Sequence, residues 1–280
     1  MPHPLDLVQE QEHISRMENE TLIRLSVFFG LFALFAIAET LSPRRPRAET
    51  RKRRWFVNWG LSILDTVTIN LMAIVMPVMA VTAAIDAGNL GWGLLNFVGL
   101  PSWVEVIIAI LILDFVIWFQ HLITHKVPLL WRLHQVHHSD KEMDVTTAIR
   151  FHPLEIALSM LLKIGLIYLL GPTAFAVILF EILLNGNALF NHANIRLPQK
   201  VDAFVRLFVV TPDMHRVHHS DLREEHDSNY GFFLTIWDRM FGTYIAQPKA
   251  GHDDMTVGLR WQDDKPVKLG WALKLPFTNK

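Results

Sequence analysis

Apolar and polar positions segregate into blocks along this chain. Five long apolar stretches stand out, Thr21–Leu41, Gly60–Thr82, Ser102–Gln120, Leu154–Leu170 and Thr173–Phe190. Each approaches the roughly 20 residues with which an α-helix crosses a bilayer. The last two are shorter and are joined by Gly171-Pro172, so they read as a tight helical hairpin. At about 1.5 Å of rise per residue each arm spans roughly 25 Å, which leaves a re-entrant hairpin as the alternative. Lys163 and Glu181 lie nine residues on either side of Pro172, and an antiparallel hairpin puts them at one depth. Either charge alone would be costly in lipid, so an intramembrane ion pair is predicted. From His192 onward the chain is mixed and polar, with helical pieces and a short apolar stretch, Phe204–Val210, suited to lying along the interface. The pattern predicts an all-α fold in one domain, residues 1–280. It is an integral membrane bundle of four to five helices, including the hairpin, under a cytosolic helical cap.

Charge sets the orientation. Arg44, Arg45, Arg47, Arg51, Lys52, Arg53 and Arg54 crowd the segment between the first two apolar stretches. The positive-inside rule places that segment in the cytoplasm and the N-terminus outside. Ala83–Pro101 then falls outside as a nearly uncharged loop, and His121–Pro153 and everything after the hairpin fall on the cytoplasmic side. The polar, acidic N-terminus lacks the marks of a signal peptide, so the first stretch is expected to be a retained membrane helix.

Composition agrees with a membrane protein and narrows the chemistry. Of 280 residues 51% are hydrophobic and only 19% charged, against about 25% in an ordinary soluble domain; mean hydropathy is +0.26. A net charge of −1 offers no global field for nucleic acid. With no cysteine, disulfides, thiolate-held Fe–S clusters and zinc thiolate sites are excluded, leaving histidine as the borderline metal ligand.

Fourteen histidines is a high count, and ten of them lie between His121 and His219. Two near-identical H-x-x-H-H clusters occur, His134-Gln135-Val136-His137-His138 and His215-Arg216-Val217-His218-His219, with an H-x-x-x-H pair, His121 and His125, upstream. Helical positions i, i+3 and i+4 share a face. Each cluster therefore aims three imidazoles one way and the pair adds two, more than one metal ion takes. The expectation is a polyhistidine site for two metals on the cytoplasmic side. Asp114, Trp118, His121 and His125 form one stripe, but Asp114 sits about 10 Å of rise from His121 and is read as an interhelical hydrogen-bonding group. His3, His13 and His252 read as ordinary surface or core residues, and His226, in the charged run EEHD, as solvated.

Neutral imidazoles suit Zn, Cu, Ni and Fe alike. A zinc hydrolase commonly carries a glutamate base inside its histidine box, and these boxes have none. Two metals at the face of a lipid-embedded fold favour O₂ activation against a lipid C–H bond, which redox-inert zinc cannot perform. A non-enzymatic membrane metal-binding or transport protein, with Glu39, Asp65 and Asp114 along its path, and a zinc-dependent membrane hydrolase are the alternatives.

The order and spacing of the motifs go further. HLITH at 121–125, WRLHQVHHSD at 131–140, RFHP at 150–153, NHANIRLP at 191–198, HRVHHSD at 215–221 and NYGFFLTIWDRMFGTY at 229–244 resemble the fatty acid hydroxylase and sterol desaturase superfamily of membrane di-iron oxygenases. Bacterial members and the alkylglycerol monooxygenases look especially similar around LWRLHQVHHSDKEMDVTTAIRFHP. The resemblance implies metal ligation by His121, His125, His134, His137, His138, His192, His215, His218 and His219. It implies two iron ions, O₂ as co-substrate, a membrane lipid substrate to be hydroxylated or desaturated, and electrons from outside the chain. Their source would be a separate reductase, ferredoxin or cytochrome b5-like partner, or a pterin. For a bacterial chain the location would be the inner membrane, with the site facing the cytoplasm. Some members carry a further histidine where this chain has Ala188, so water, Asn187 or Asn191 is expected to complete a coordination sphere. His152 could be a ligand, a donor behind the ligands or a helix-start residue, and the second is expected. Asp140 and Asp221, two residues beyond each cluster, could accept a distal imidazole N–H or cap a helix. Asn229, Tyr230 and Trp237 are read as packing that carries the last cluster.

Overall fold

The computed structural model describes residues 4–47, 50–76, 79–261 and 266–278, with side chains from Glu20 onward. Among the described residues eight α-helices precede the cap: α1 (Pro4–Leu41), α2 (Arg51–Val75), α3 (Ala80–Leu90), α4 (Leu94–Val98), α5 (Ser102–Lys126), α6 (Pro128–His138), α7 (Pro153–Leu170) and α8 (Ala174–His192). Six short helices follow: α9 (Gln199–Val205), α10 (Pro212–His218), α11 (Arg223–His226), α12 (Ile236–Met240), α13 (Gly251–Asp254) and α14 (Leu269–Lys274). Among the described residues the sole β pairing is three isolated bridges. Among the described residues five segments are long and apolar enough to cross a membrane: Glu20–Leu41, Arg51–Val98, Ser102–Lys126, Pro153–Leu170 and Ala174–His192. Their outer faces expose Phe29, Leu34, Phe56, Ile63, Leu71, Trp103, Leu158 and Leu169. So wide an apolar surface would be a liability in water and is the expected one in lipid.

The second apolar stretch divides differently from the prediction. α2 begins at Arg51, so Arg51–Arg54 form its first turn instead of a loop, and it ends at Val75. Met76, with φ −126°, precedes Pro77, and a proline pushes its predecessor out of the α region. The segment predicted as an uncharged loop, 83–101, holds most of α3 and all of α4. Ala80, Ala83 and Ala84 of α3 pack against Ile164 and Ile167 of α7 and Val177 of α8.

Gly171 ends α7 with φ +66°, a left-handed conformation that glycine adopts without penalty. Gly93 approaches it so closely that a Cβ there would collide with the Gly171 backbone. Thr173 then caps α8, its Oγ1 accepting from the Ala176 N–H at 3.3 Å. Across the hairpin Lys163 Nζ lies 2.7 Å from Glu181 Oε1. Arg24 of α1 donates to the other Glu181 oxygen, a third partner that hairpin symmetry alone does not supply.

One end of the bundle gathers the C-terminal ends of α1, α5 and α8 and the N-terminal ends of α2 and α7. Glu39, fully buried at the end of α1, accepts from the backbone N–H groups of Val145 (3.1 Å) and Asn194 (3.0 Å). The cap docks there through two carboxylates. Asp114 of α5 accepts from Trp237 Nε1 at 2.8 Å, the interhelical role expected of it. Asp238, buried in α12, accepts from Trp118 Nε1, the Tyr230 and Gly231 N–H groups and Thr243 Oγ1 at 2.7–3.0 Å. Around the cap's edge Phe204, Leu207 and Phe208 remain exposed, as an interfacial apolar rim requires.

Candidate metal centre

Three local devices aim the histidines into this end. α5 continues as helix past Gln120, so His121 and His125 occupy its last turns, one above the other. Pro128 then opens α6, a favoured first helical position, and its last two turns carry His134, His137 and His138. Thr211 caps α10 ahead of Pro212, placing His215, His218 and His219 on one short helix and its end. His192 is the final residue of α8. All nine rings are buried.

These nine form two groups. His121, His125, His134, His138 and His218 converge in one; His137, His192, His215 and His219 converge in the other, with candidate ligand atoms within 4.8 Å of one another in each. Neither H-x-x-H-H cluster serves a single group. Residues four apart stay together (His134 with His138, His215 with His219), whereas the third member of each cluster crosses to the other group. The groups share a wall, where the His138 and His219 rings stack at 4.5 Å.

Hydrogen bonds on the outer nitrogens fix the tautomers. The Nδ1–H groups of His121, His137, His192 and His218 donate to the carbonyl oxygens of Tyr230 (2.6 Å), Arg150 (3.2 Å), Ala188 (2.7 Å) and Ser228 (2.7 Å). His134 Nδ1–H donates to Glu155 Oε1 at 2.6 Å. With Nδ1 protonated, each Nε2 presents a lone pair. Yet His121 Nε2 faces His134 Nε2 at 3.0 Å, and His137 Nε2 faces His192 Nε2 at 3.1 Å. Lone pairs this close repel unless a cation lies between them. Ligands about 2.1 Å from one metal at a right angle stand about 3.0 Å apart, the spacing found here. Both ring nitrogens of His125, His138 and His219, and Nε2 of His218, are buried with no hydrogen-bond partner, and buried polar atoms left so are costly. The donor set fits two divalent cations.

The remaining expected residues lie elsewhere in function. Asp140 accepts from no imidazole; Arg54 grips it with two bonds of 2.8 Å, and Thr147 Oγ1 donates at 2.8 Å. Asp221 meets the Thr256 carbonyl through its backbone N–H, and its side chain lines a solvent-side groove. His152 is the helix-start residue: its Nδ1 accepts from the Leu154 N–H at 3.2 Å. The Nδ2 groups of Asn187 and Asn191 both donate to the Phe232 carbonyl and hold the chain beyond Tyr230. His226 is half-buried and stacks on Trp131, and His252 is buried beside Asp213. Asn229 takes φ +49°, and its Nδ2 donates to the Met214 and Ile245 carbonyls, the first of them adjacent to His215. Two residues were not anticipated. Glu155, in the first turn of α7, orients His134, and Asp227 lies 3.6 Å from His125 Nδ1. The carboxylate in F-H-P-L-E was the visible signal for the first.

Burial, and then the neighbouring imidazoles, push His137, His138, His215, His218 and His219 well below 6.5. They are neutral at pH 7, as metal ligands must be. In the unfolded chain the same rings titrate near 6.5, so below that pH the unfolded state takes up protons that the fold refuses. Stability of the metal-free protein is therefore full above pH 6.5 and lost as pH falls below it, by up to about 1.4 kcal/mol per pH unit for each ring. Thermal unfolding of chelator-treated protein between pH 8 and 5 checks this, and a flat profile contradicts it.

Comparison with known proteins bears on this centre. Residues 106–243 match the family model described as "Fatty acid hydroxylase". The ornithine lipid hydroxylase OlsE of Rhizobium tropici is 29% identical over 182 residues, covering 64% of this chain and 52% of that protein. Human alkylglycerol monooxygenase is 31% identical over 176 residues, 61% of this chain and 36% of that one. Methylsterol monooxygenase 2-2 of Arabidopsis thaliana is 31% identical over 148 residues, 51% and 55% respectively. The chain thus spans between 36% and 55% of the length of these relatives. No solved structure matches it.

Proposed function

We propose, starting from a chain whose residues 106–243 belong to the fatty acid hydroxylase family, that the protein is a membrane-embedded di-iron oxygenase that hydroxylates or desaturates a lipid. The observation that carries the reading is the pair of converging imidazole groups, with Nε2 lone pairs facing one another at 3.0 and 3.1 Å. His121, His125, His134, His138 and His218 would hold one iron; His137, His192, His215 and His219 would hold the other. The relatives' names, a lipid hydroxylase, an alkylglycerol monooxygenase and a methylsterol monooxygenase, support a lipid as substrate.

Bound irons supply electron transfer to O₂ and the means to break a C–H bond. For hydroxylation one oxygen atom enters that bond and the other leaves as water, with two electrons and two protons drawn from a donor. The donor is a separate redox protein or a diffusible reductant such as a pterin. The chain's own residues do the positioning. Glu155 and the four carbonyl acceptors keep five of the nine imidazoles in the ligating tautomer. A cavity of about 140 Å³ opens against His121 and His134 between α5, α7 and α8, with Ile117, Ile156 and Leu184 on its walls. A substrate bond placed there is shielded from bulk water. The basic residues at the start of α2 and just before it support a cytoplasmic position for this end.

Metal analysis of anaerobically purified protein tests the proposal. About two irons per chain, O₂ uptake after reduction, and lipid products gaining one oxygen or losing two hydrogens are expected. Zinc retained through anaerobic purification from iron-replete cells, with no O₂ uptake after reconstitution with iron, would sink it.

A further inference from the structure

The cavity beside His121 and His134 is largely apolar, but one wall carries a polar stripe. Glu155, Ser159 and Lys163 succeed one another at four-residue intervals and make one stripe of α7, and all three line it. Gln120 and Thr124 of α5 and Asn185 of α8 face the same space, and Ser159 Oγ donates to Gln120 Oε1 at 3.4 Å. Thr124, Glu155 and Ser159 make hydrogen bonds within the protein, whereas an ammonium with donors to spare would be costly against an alkyl chain inside a membrane. An ammonium carries three donors, and Glu181 takes one of those on Lys163 at 2.7 Å.

Resting on the oxygenase reading, we infer that the cavity admits the oxygen-bearing portion of an amphiphile and that Lys163 anchors it. Two turns and more of α7 separate Glu155 from Lys163, about 12 Å of rise. The attacked carbon therefore lies within roughly that distance of a carboxylate, ester or hydroxyl oxygen, not at the remote end of a long chain. Lys163 is a positioning residue for substrate; it touches neither metal group.

Palmitate, 1-O-hexadecylglycerol and hexadecane share a chain length and differ in their polar end, so they are the probes. Binding is read as the shift in melting temperature of zinc-loaded protein in lipid nanodiscs, which needs no turnover. Turnover is read as oxidised product from iron-loaded protein. A shift is expected with a headed probe and none with hexadecane; palmitate alone would identify a carboxylate, and hexadecylglycerol a hydroxyl or ether oxygen. Lys163→Met should weaken apparent binding roughly tenfold or more and raise KM by more than it lowers kcat. Lys163→Arg should restore most of the loss. Glu181 keeps Arg24 in the methionine variant, so the hairpin does not inherit an unpaired charge. Equal binding of hexadecane, or unchanged binding by Lys163→Met, overturns the inference. Lys163-dependent binding with no oxidation of any probe would instead remove the oxygenase reading and leave the cavity's chemistry standing.

Discussion

Replacing His192 with alanine is expected to strip about one metal ion per chain and lower activity by on the order of 10³-fold or more. His192 is the ligand candidate supplied by α8, and it stands at the centre of the four-imidazole group. Its Nε2 lies 3.1 Å from both His137 Nε2 and His215 Nε2. Without it three rings remain, and His137 and His215 lose the neighbour that spaces them. The five-imidazole group shares no ring with this one, so its metal should stay. Metal content and product formation, measured on the same preparation, give the two readouts. His152→Ala is the matched control. That ring caps α7, so about 1 kcal/mol of stability should go while both metals stay. Full metal content in His192→Ala would contradict the assignment, as would metal loss in the control.

The histidine ligand candidates were legible in the sequence because their information is local. Four-residue spacing puts two imidazoles one above the other on any helix, whatever surrounds it, and His121/His125, His134/His138 and His215/His219 obey that. The Lys163–Glu181 pair was legible for a similar reason: a turn at Gly171-Pro172 fixes the register of what flanks it. What lay hidden depends on docking between elements. His137 and His218 leave their own clusters' groups because α6 and α10 face each other across the centre, which no spacing reveals. Asp140 sits beside a histidine cluster, and adjacency suggested an imidazole partner; its actual partner, Arg54, comes from α2, 86 positions earlier. Glu155 shows the converse. It lies 21 positions from His134, across the turn holding Thr146 and Thr147, and only the packing of α7 beside α6 brings the two together. The break at Met76 was readable from Pro77 but was masked by unbroken hydropathy on both sides.

Arg54 carries the largest expected effect on stability. Its guanidinium is buried and forks onto both oxygens of Asp140 at 2.8 Å while a third nitrogen reaches Asp144 Oδ2 at 2.7 Å. Asp144 in turn caps the 3₁₀ turn at Val145–Ile149, its Oδ1 accepting from the Thr146 N–H at 2.9 Å. That turn ends at Arg150, whose carbonyl accepts the His137 Nδ1–H and whose guanidinium bonds the Val136 carbonyl, Ser139 Oγ and Asn58 Oδ1 at 2.7–2.8 Å. The start of α2 thus holds the backbone on which the first histidine cluster leans. Arg54→Ala leaves two buried carboxylates without the guanidinium that bridges them, and breaking a buried pair from one side costs about 3–5 kcal/mol. Thermal unfolding in nanodiscs should show that loss. Arg54→Lys, which keeps the charge but not the fork, should fall between alanine and wild type. Because metal binds the folded state alone, added iron should recover part of the alanine variant's stability. A variant that melts as wild type does would mean that the Arg54 network does not hold the centre's frame.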